Sequence, residues 1–465
     1  MSEIVIWWFT ALLALILVEW VVRTLYLHPL RGFPGPRIAA LGSYLEFYYD
    51  VMKDGTYLWE IEKMHEKYGP VVRINADELH IRDPDYYSTV YAGPGHRINK
   101  YGSAVAAYTV PRASIATVDH DLHRIQQVMI SPYFSLKSIK ALEPLIDERI
   151  DRLCERLDER RRKGIVVELD GAFAALTYDV ITAYFYGSHQ DELANDELKS
   201  SVRDAVVGLI GFYHFSRFLP FLASALKHLP IPISEVDIKK KMRDPALPVC
   251  HNALKDPSLP TEENDLDRLV DEGKTIIFAG TETTTRALSV AHMAALAPGP
   301  CDEYSYSELT GVINEALRFT HGVSARLPRI SVDEPLRFGE WVIPPGTVLS
   351  CFQTPVSMSS PLQHMDPSIF PNPRAFNPGR WIRAAEDGMD LSKYMVSFTK
   401  GSRACLGIHM AYAEMYLVIA RIIRRFELEL HDTTGDDVEV YHIRLTGYPR
   451  KGLGDIKVRV VGDNT

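Results

Sequence analysis

Phe398-Thr399-Lys400-Gly401-Ser402-Arg403-Ala404-Cys405-Leu406-Gly407 sets one cysteine among glycines and an arginine at fixed offsets, just before an amphipathic run that starts a helix. Gly401 lets the backbone approach a flat ring closely. Arg403 offers a planar fork for bidentate bonds to a carboxylate such as a haem propionate. Cys405 supplies the sulfur, and Gly407 opens a helix whose N-terminal N–H groups and dipole stabilise an anionic thiolate. A thiolate behind a haem iron donates electron density that favours O–O cleavage. Taken alone, Cys405 would be an ordinary buried hydrophobe; with its flanks, the segment reads as a haem loop.

The surrounding chain can support such a site. It has 465 residues, 46% hydrophobic and 24% charged, which is ordinary for a large globular core. No repeat, low-complexity tract or Gly/Ser linker interrupts it, so one large domain is expected. A net charge of -9 and no basic stripe interleaved with aromatics exclude a nucleic-acid partner. The five cysteines, Cys154, Cys250, Cys301, Cys351 and Cys405, are scattered without a C-x-x-C pair. That argues against a disulfide framework or zinc site and fits a reducing compartment.

Residues 4–22 are apolar apart from Thr10 and Glu19, with Trp7, Trp8 and Trp20 as interface-type aromatics. The run is long enough to cross a bilayer, which takes roughly 20 residues. A cleaved signal peptide and a buried core helix are the competing readings. The first lacks a basic leader and a small-residue cleavage site, and the second is disfavoured by the terminal position. Arg23, Arg31 and Arg37 follow the span while only Glu3 precedes it, which places the following domain in the cytosol. The prolines of residues 28–37 predict a stiff, extended hinge. Residues 1–27 are thus an anchor, 28–37 a hinge and 38–465 the catalytic domain.

Further on, a helix is predicted over residues 56–68, stopped by Gly69, and a hairpin pairs residues 71–74 with 79–81. Residues 93–118 form a long irregular loop, more often functional than decorative. Residues 122–164 are helical, with a charged run over 147–163 that reads as a solvated face. Residues 212–233 are apolar and aromatic but broken by Pro220, Pro230 and Pro232; they are either core packing or a lid dipping into the membrane surface. Helix 308–319 precedes strand pairs over 336–342 and 348–352, split by Pro344-Pro345-Gly346.

The constellation Phe398-x-x-Gly401-x-Arg403-x-Cys405-x-Gly407 resembles the cytochrome P450 family of haem-thiolate monooxygenases, from the anchor to the C-terminus. The resemblance implies a mainly α fold with small β-sheets (α+β), with Cys405 as axial ligand of haem b, iron-protoporphyrin IX. Residues 271–290 read as a long helix holding Ala279-Gly280-Thr281-Glu282-Thr283-Thr284. Gly280 costs about 1 kcal/mol relative to Ala, explained by close approach of a ligand or by helix–helix contact. The Thr283 hydroxyl can bond the Ala279 carbonyl one turn back. By resemblance this is a dioxygen groove in which Thr283 and Glu282 relay protons. Glu315-Ala316-Leu317-Arg318 is in isolation a common surface pair. It is similar to the family's E-x-x-R motif, completed by Arg380 in Phe376-Asn377-Pro378-Gly379-Arg380-Trp381. Gly379 stands where the family often has an acid, which loosens the loop. His120-x-x-x-Arg124 falls where the family has Trp-x-x-x-Arg and is either a propionate clamp or two solvent-facing polar residues. Arg326 resembles the arginine that serves the second propionate. Residues 297–303 cut across where the family has an additional helix on the proximal side.

The expectation is a membrane-anchored monooxygenase of the endoplasmic reticulum. It would take electrons from NADPH through a separate NADPH-cytochrome P450 reductase, because the chain has no Gly-rich nucleotide or flavin fingerprint. The texture is similar to filamentous-fungal members that oxidise terpenoid or polyketide intermediates. Its walls would be residues 93–118, 212–233, 323–325 and 445–448, lipophilic in kind but not specific to one molecule. Two rivals stand beside this reading: a shortened haem protein with impaired or no turnover, and an isomerase or dehydratase needing no external electrons. An intact Glu282-Thr283 pair argues against both.

Overall fold

The computed structural model describes residues 2–187, 190–219, 221, 263, 265–296, 305–346 and 353–464. The predicted strand 348–352, the shortcut 297–303 and most of the stretch 212–233 lie outside them. The chain forms two compact units, residues 1–101 with 326–359, and residues 102–325 with 360–465.

In the first unit, helix α1 (Ser2–Val22) is apolar, exposed over residues 4–19, and runs on through a π-turn over Arg23–Leu27. Residues Ile4–Leu27 are long and apolar enough to span a membrane. The proline-rich segment differs from the extended hinge expected. Pro29–Gly32 is a 3-10 turn, seeded by the Leu30 N–H donating to His28 Nδ1 at 3.1 Å, and Leu30 is fully buried. A proline at the first helical position starts a turn because its φ is preset. Only the following residues are extended, and there the Arg73 N–H donates to the Pro34 carbonyl at 2.7 Å. A Cβ on Gly35 would sit 2.5 Å from the Arg73 carbonyl oxygen. The segment is packed against Arg73.

Helix α2 (Tyr57–Tyr68) ends at Gly69, whose φ of 93° only glycine adopts easily. Strands β1 (Val71–Arg73) and β2 (Leu79–Ile81) pair antiparallel as expected. With β3 (Ile98–Lys100), β5 (Arg329–Ser331) and β8 (Val356–Ser357) they form a five-stranded sheet in the order β1-β2-β8-β5-β3. Strands β6 (Leu336–Phe338) and β7 (Trp341–Ile343) make a separate hairpin.

The second unit is helical. Helix α3 (His120–Ile130) is capped by Asp119, whose side chain accepts from the Leu122 N–H. Helix α4 (Leu136–Lys163) stops at Gly164 (φ 64°), with four basic residues in its last turn facing the negative end of the dipole. Its charged run is not wholly solvated, since Arg149 and Asp158 are buried, Asp158 paired with Arg161 and Arg162. Helices α5 (Leu169–Tyr186), α6 (Ser201–Gly211) and α7 (Tyr213–Phe218) follow. At the centre lies the 30-residue helix α8 (Leu266–Ala295), packed on α5, on α9 (Tyr306–Thr320) and on α11 (Ile408–Arg425), the helix that follows Cys405. Helix α9 begins with a capping box in which Ser305 and Glu308 satisfy each other's backbone N–H. Helix α10 (Gly379–Glu386) lies against α9. A three-stranded sheet of β4 (Val167–Glu168), β12 (Lys457–Asp463) and β9 (Phe426–Leu430), and the hairpin β10 (His442–Ile443) and β11 (Gly447–Tyr448), complete it. The fold is thus mainly α with small sheets.

Candidate active site

The cysteine loop is a tight reversal. Thr399 and Gly401 both have positive φ, 55° and 75°, and the Cys405 N–H donates back to the Phe398 carbonyl at 2.8 Å. Burial pushes the Cys405 thiol up, and the nearby Gly407 N–H works against that by favouring the anionic form. Sγ is nonetheless accessible while crowded by protein atoms. Those two facts together describe the floor of a concavity rather than a convex surface. Arg403 is buried, its Nη1 donating to the Thr117 carbonyl at 2.7 Å and its Nη2 to those of Val118 and Asp119 at 2.9 and 3.0 Å. The loop is thereby tied to the start of α3, which presents His120 buried and Arg124 exposed one turn apart. Arg124 has no ion pair among the described residues.

Helix α8 is open over one turn. Ala279 is exposed and Gly280 and Thr283 half-buried, whereas Ile276, Ile277, Thr281, Glu282 and Thr284 are buried. A Cβ on Gly280 would meet only Ile181 Cγ1, at 3.8 Å. Among the described residues, no helix contact therefore requires a glycine there. Thr283 Oγ1 donates to the Ala279 carbonyl at 2.7 Å, as the sequence led one to expect. Thr283 also lines a small cleft with Thr320, Gly322, Thr446 and Gly447.

Glu282 points elsewhere, into a buried network that sequence reasoning missed. Its carboxylate lies 3.5 Å from Arg203 Nε, and Tyr448 Oη donates to its Oε1 at 3.3 Å. Arg203 also pairs with Asp170 and Asp455, and Arg286 with Asp170. Burial pushes Glu282 up to about 7, with Arg203 and Arg286 holding it from going higher. Arg203, Asp170, Tyr448 and Asp455 come from four separate segments with no shared spacing, so no local signal announces them.

Behind the cysteine loop the structure brings Glu315, Arg318 and Arg380 together, all buried. Arg318 Nε and Nη2 donate to the two Glu315 oxygens at 3.0 and 2.7 Å, and Arg380 Nε donates to Oε1 at 3.0 Å. The Asn377 N–H and Trp381 Nε1 fill the remaining lone pairs, each at 3.0 Å. Trp381 was the missed partner; an indole N–H directly after Arg380 was the available signal. Gly379 opens α10, and a Cβ there would press only on the mobile end of Arg383 and on Asn377.

Arg326 belongs to the first unit. It pairs with Glu46 and lies 3.6 Å from Glu78, while its buried Nη1 has no hydrogen-bond partner among the described residues. Burial opposes its charge, but Glu78, Glu46 and Asp50 outweigh that and hold its pKa above the ordinary arginine value. In the second unit, four stretches read as walls meet in one apolar cluster. Ala107, Tyr213 and Ala325 are its buried members, with Tyr108, Val323 and Leu445 packed against them.

A family model described as Cytochrome P450 matches residues 34–298 and 308–445, breaking off across the shortcut. Cytochrome P450 monooxygenase astB of Aspergillus terreus is 45% identical over 491 residues, covering 95% of this chain and 94% of the relative. Cytochrome P450 monooxygenase TRI4 of Trichoderma arundinaceum is 44% identical, covering 94% and 93%. Conidiogenone synthase PchP450 of Penicillium rubens is 39% identical, covering 95% and 96%.

Proposed function

This chain belongs to the cytochrome P450 family, and we propose that it inserts one oxygen atom from dioxygen into a terpenoid or polyketide intermediate of a fungal secondary-metabolite pathway. The family implies a haem with a cysteine ligand; we assign haem b, held by Cys405. The residues present fit it. Cys405 is exposed in its tight loop while crowded by protein atoms, and a Cβ on Gly280 of α8 would meet, among the described residues, just Ile181 at 3.8 Å. Arg403, His120, Arg124 and Arg326 would serve the propionates, and Gly401 would let the loop lie close to the ring. The buried, unpartnered Nη1 of Arg326 supports its share of that role. When bound, the haem supplies dioxygen activation, with the thiolate's electron density behind it.

The chain's own residues do the rest. Thr283 holds a hydroxyl at the open turn of α8, and Glu282 stores a proton near neutrality. The Glu315-Arg318-Arg380 triad keeps the cysteine loop rigid from behind. The cluster around Tyr213, Ala325 and Leu445 holds an apolar substrate away from water. Electrons would come from NADPH-cytochrome P450 reductase. Helix α1 would anchor the chain in the endoplasmic reticulum, with the catalytic portion facing the cytosol.

The relatives' monooxygenase names and the motif set do not favour the non-turnover or electron-independent readings. The observation that carries the proposal is an exposed Cys405 held in a tight loop, its N–H donating to the Phe398 carbonyl at 2.8 Å, just before α11. Full-length protein given reductase, NADPH and a panel of terpenoid and polyketide precursors should form product only with both reductase and NADPH present. Turnover without reductase would overturn it. Cys405→Ala should lose the thiolate-type ferrous–CO spectrum, and retention would remove Cys405 as ligand.

A further inference from the structure

A line of aromatic rings runs from the cysteine loop to the surface of the second unit. Tyr412 and Tyr416 stand four apart on α11, and Tyr306 and Thr310 four apart at the start of α9, so each pair shares a helix face. Where α9 and α11 pack together, the rings meet in succession. Between ring centroids, Phe398 lies 5.5 Å from Tyr412, Tyr412 6.3 Å from Tyr416, and Tyr416 5.5 Å from Tyr306, the last two rings nearly parallel at 9°. The inner end is the loop itself, because the Phe398 carbonyl accepts the Cys405 N–H at 2.8 Å. The outer end is solvent. Tyr306 is 76% exposed, and outside α1 no large hydrophobic side chain among the described residues is more so. Packing of two helices explains rings between them, but not a tyrosine left in water at the end of the stack, nor phenols seated on hydrogen bonds. Thr310 Oγ1 spends its one hydrogen on the Tyr306 carbonyl at 2.7 Å, so at 2.8 Å it accepts from Tyr416 Oη. Tyr412 Oη donates to Asn314 Oδ1 at 3.4 Å.

We infer that Phe398, Tyr412, Tyr416 and Tyr306 form a one-electron escape line, by which a strong oxidant left at the cysteine loop after unproductive dioxygen activation is quenched from the surface. The inference rests on the haem reading of Cys405. Phenols give up an electron only to strong oxidants, so the line cannot stand in for a reductase; it answers misfired turnover alone. Phe398 is not oxidised and serves as the bridging ring. Tyr412 gives one electron inward, and its proton moves onto the hydrogen bond toward Asn314 Oδ1. Tyr416 refills Tyr412 with an electron, the Tyr412 proton returns, and the Tyr416 proton moves toward Thr310 Oγ1. Tyr306 refills Tyr416 in the same way and releases its own proton to water. A water-soluble reductant of the ascorbate or thiol class then restores Tyr306 with one electron and one proton. The protein ends unchanged, the oxidant has gained one electron, and the reductant has lost one.

The test uses the full-length haem-loaded protein without substrate, treated with cumene hydroperoxide in the presence of a nitroso spin trap. Peptide mass spectrometry locates the trapped radical, and absorbance follows haem bleaching. Wild type should carry the trap on Tyr306, and ascorbate should abolish that label and slow the bleaching. Tyr416→Phe keeps the stacked ring and removes the phenol. It should retain the thiolate-type ferrous–CO spectrum, lose the Tyr306 label and bleach faster than wild type, with ascorbate no longer protective; Tyr412→Phe should do the same. Tyr306→Phe, at an exposed position where folding is not at stake, covers the case in which the inner variants do not load haem. It should bleach faster and move the trap inward to Tyr416. A Tyr306 label that persists in Tyr416→Phe and Tyr412→Phe would show direct attack by the peroxide and overturn the line, as would wild-type protein that bleaches with no label on Tyr306. Absence of the thiolate-type ferrous–CO spectrum in wild type would instead overturn the haem reading, and the escape line with it.

Discussion

Single residues here are constrained by what lies within a few ångströms of them. A Cβ on Gly322, at φ 64°, would fall 2.1 Å from the Ser397 carbonyl oxygen, in the segment leading to the cysteine loop. Gly322→Ala should therefore cost on the order of 3 kcal/mol by denaturant unfolding and lower haem retention with it. Gly280 is the opposite case. Among the described residues its missing Cβ would make just an ordinary 3.8 Å contact with Ile181, so Gly280→Ala should stabilise the fold by about 1 kcal/mol. The same substitution should weaken dioxygen and CO binding, because the methyl group projects into the open turn of α8. Stability gained and ligand binding lost in one variant would separate a ligand groove from a helix contact, which the sequence left as alternatives.

Among elements, the contact of α9 with α10 is set by one buried carboxylate that collects five donated hydrogen bonds. Arg380→Leu leaves Glu315 short of a charge partner and removes the Arg380 donor from the carbonyls of Pro371 and Ala375. The expected cost is roughly 3–5 kcal/mol, measurable as loss of cooperative unfolding and of the thiolate-type CO spectrum together. Trp381→Phe removes one charge-assisted bond and should cost about 1.5–3 kcal/mol. Glu315 and Arg318, three apart on a helix, are unremarkable in sequence, and only tertiary burial makes them the anchor of this contact. The proline-rich segment shows the converse. Its composition was plain, but a buried Leu30 and its N–H donating to His28 Nδ1 decided that residues 29–32 pack as a turn.

At the scale of the molecule, buried carboxyls give the fold a pH dependence. Burial alone pushes Glu414 on α11 up to about 8, and Glu282 lies near 7. Both folded values exceed the unfolded one near 4.5. The folded state therefore binds more protons between these limits, and stability falls as pH rises from about 4.5 to 8. Glu414→Gln should be more stable than wild type above pH 8 by on the order of 2–4 kcal/mol and nearly equal to it below pH 4.5, as read by urea unfolding across pH. An unchanged slope would show that Glu414 is ionised at no cost.

The sequence by itself determined the parts whose physics is local. Glycine, arginine and cysteine at fixed offsets made the cysteine loop, an apolar run made the candidate span, and a hydroxyl one turn after Ala279 made the bond to its carbonyl. These need only neighbours along the chain. The tertiary structure alone decided where Glu282 faces, because Arg203, Asp170, Tyr448 and Asp455 reach it from segments far apart in sequence. It also decided that Ala107, Tyr213, Ala325 and Leu445 share one wall. Burial and charge act through space, and the loss of water that raises a carboxyl's pKa exists only once distant segments have closed around it.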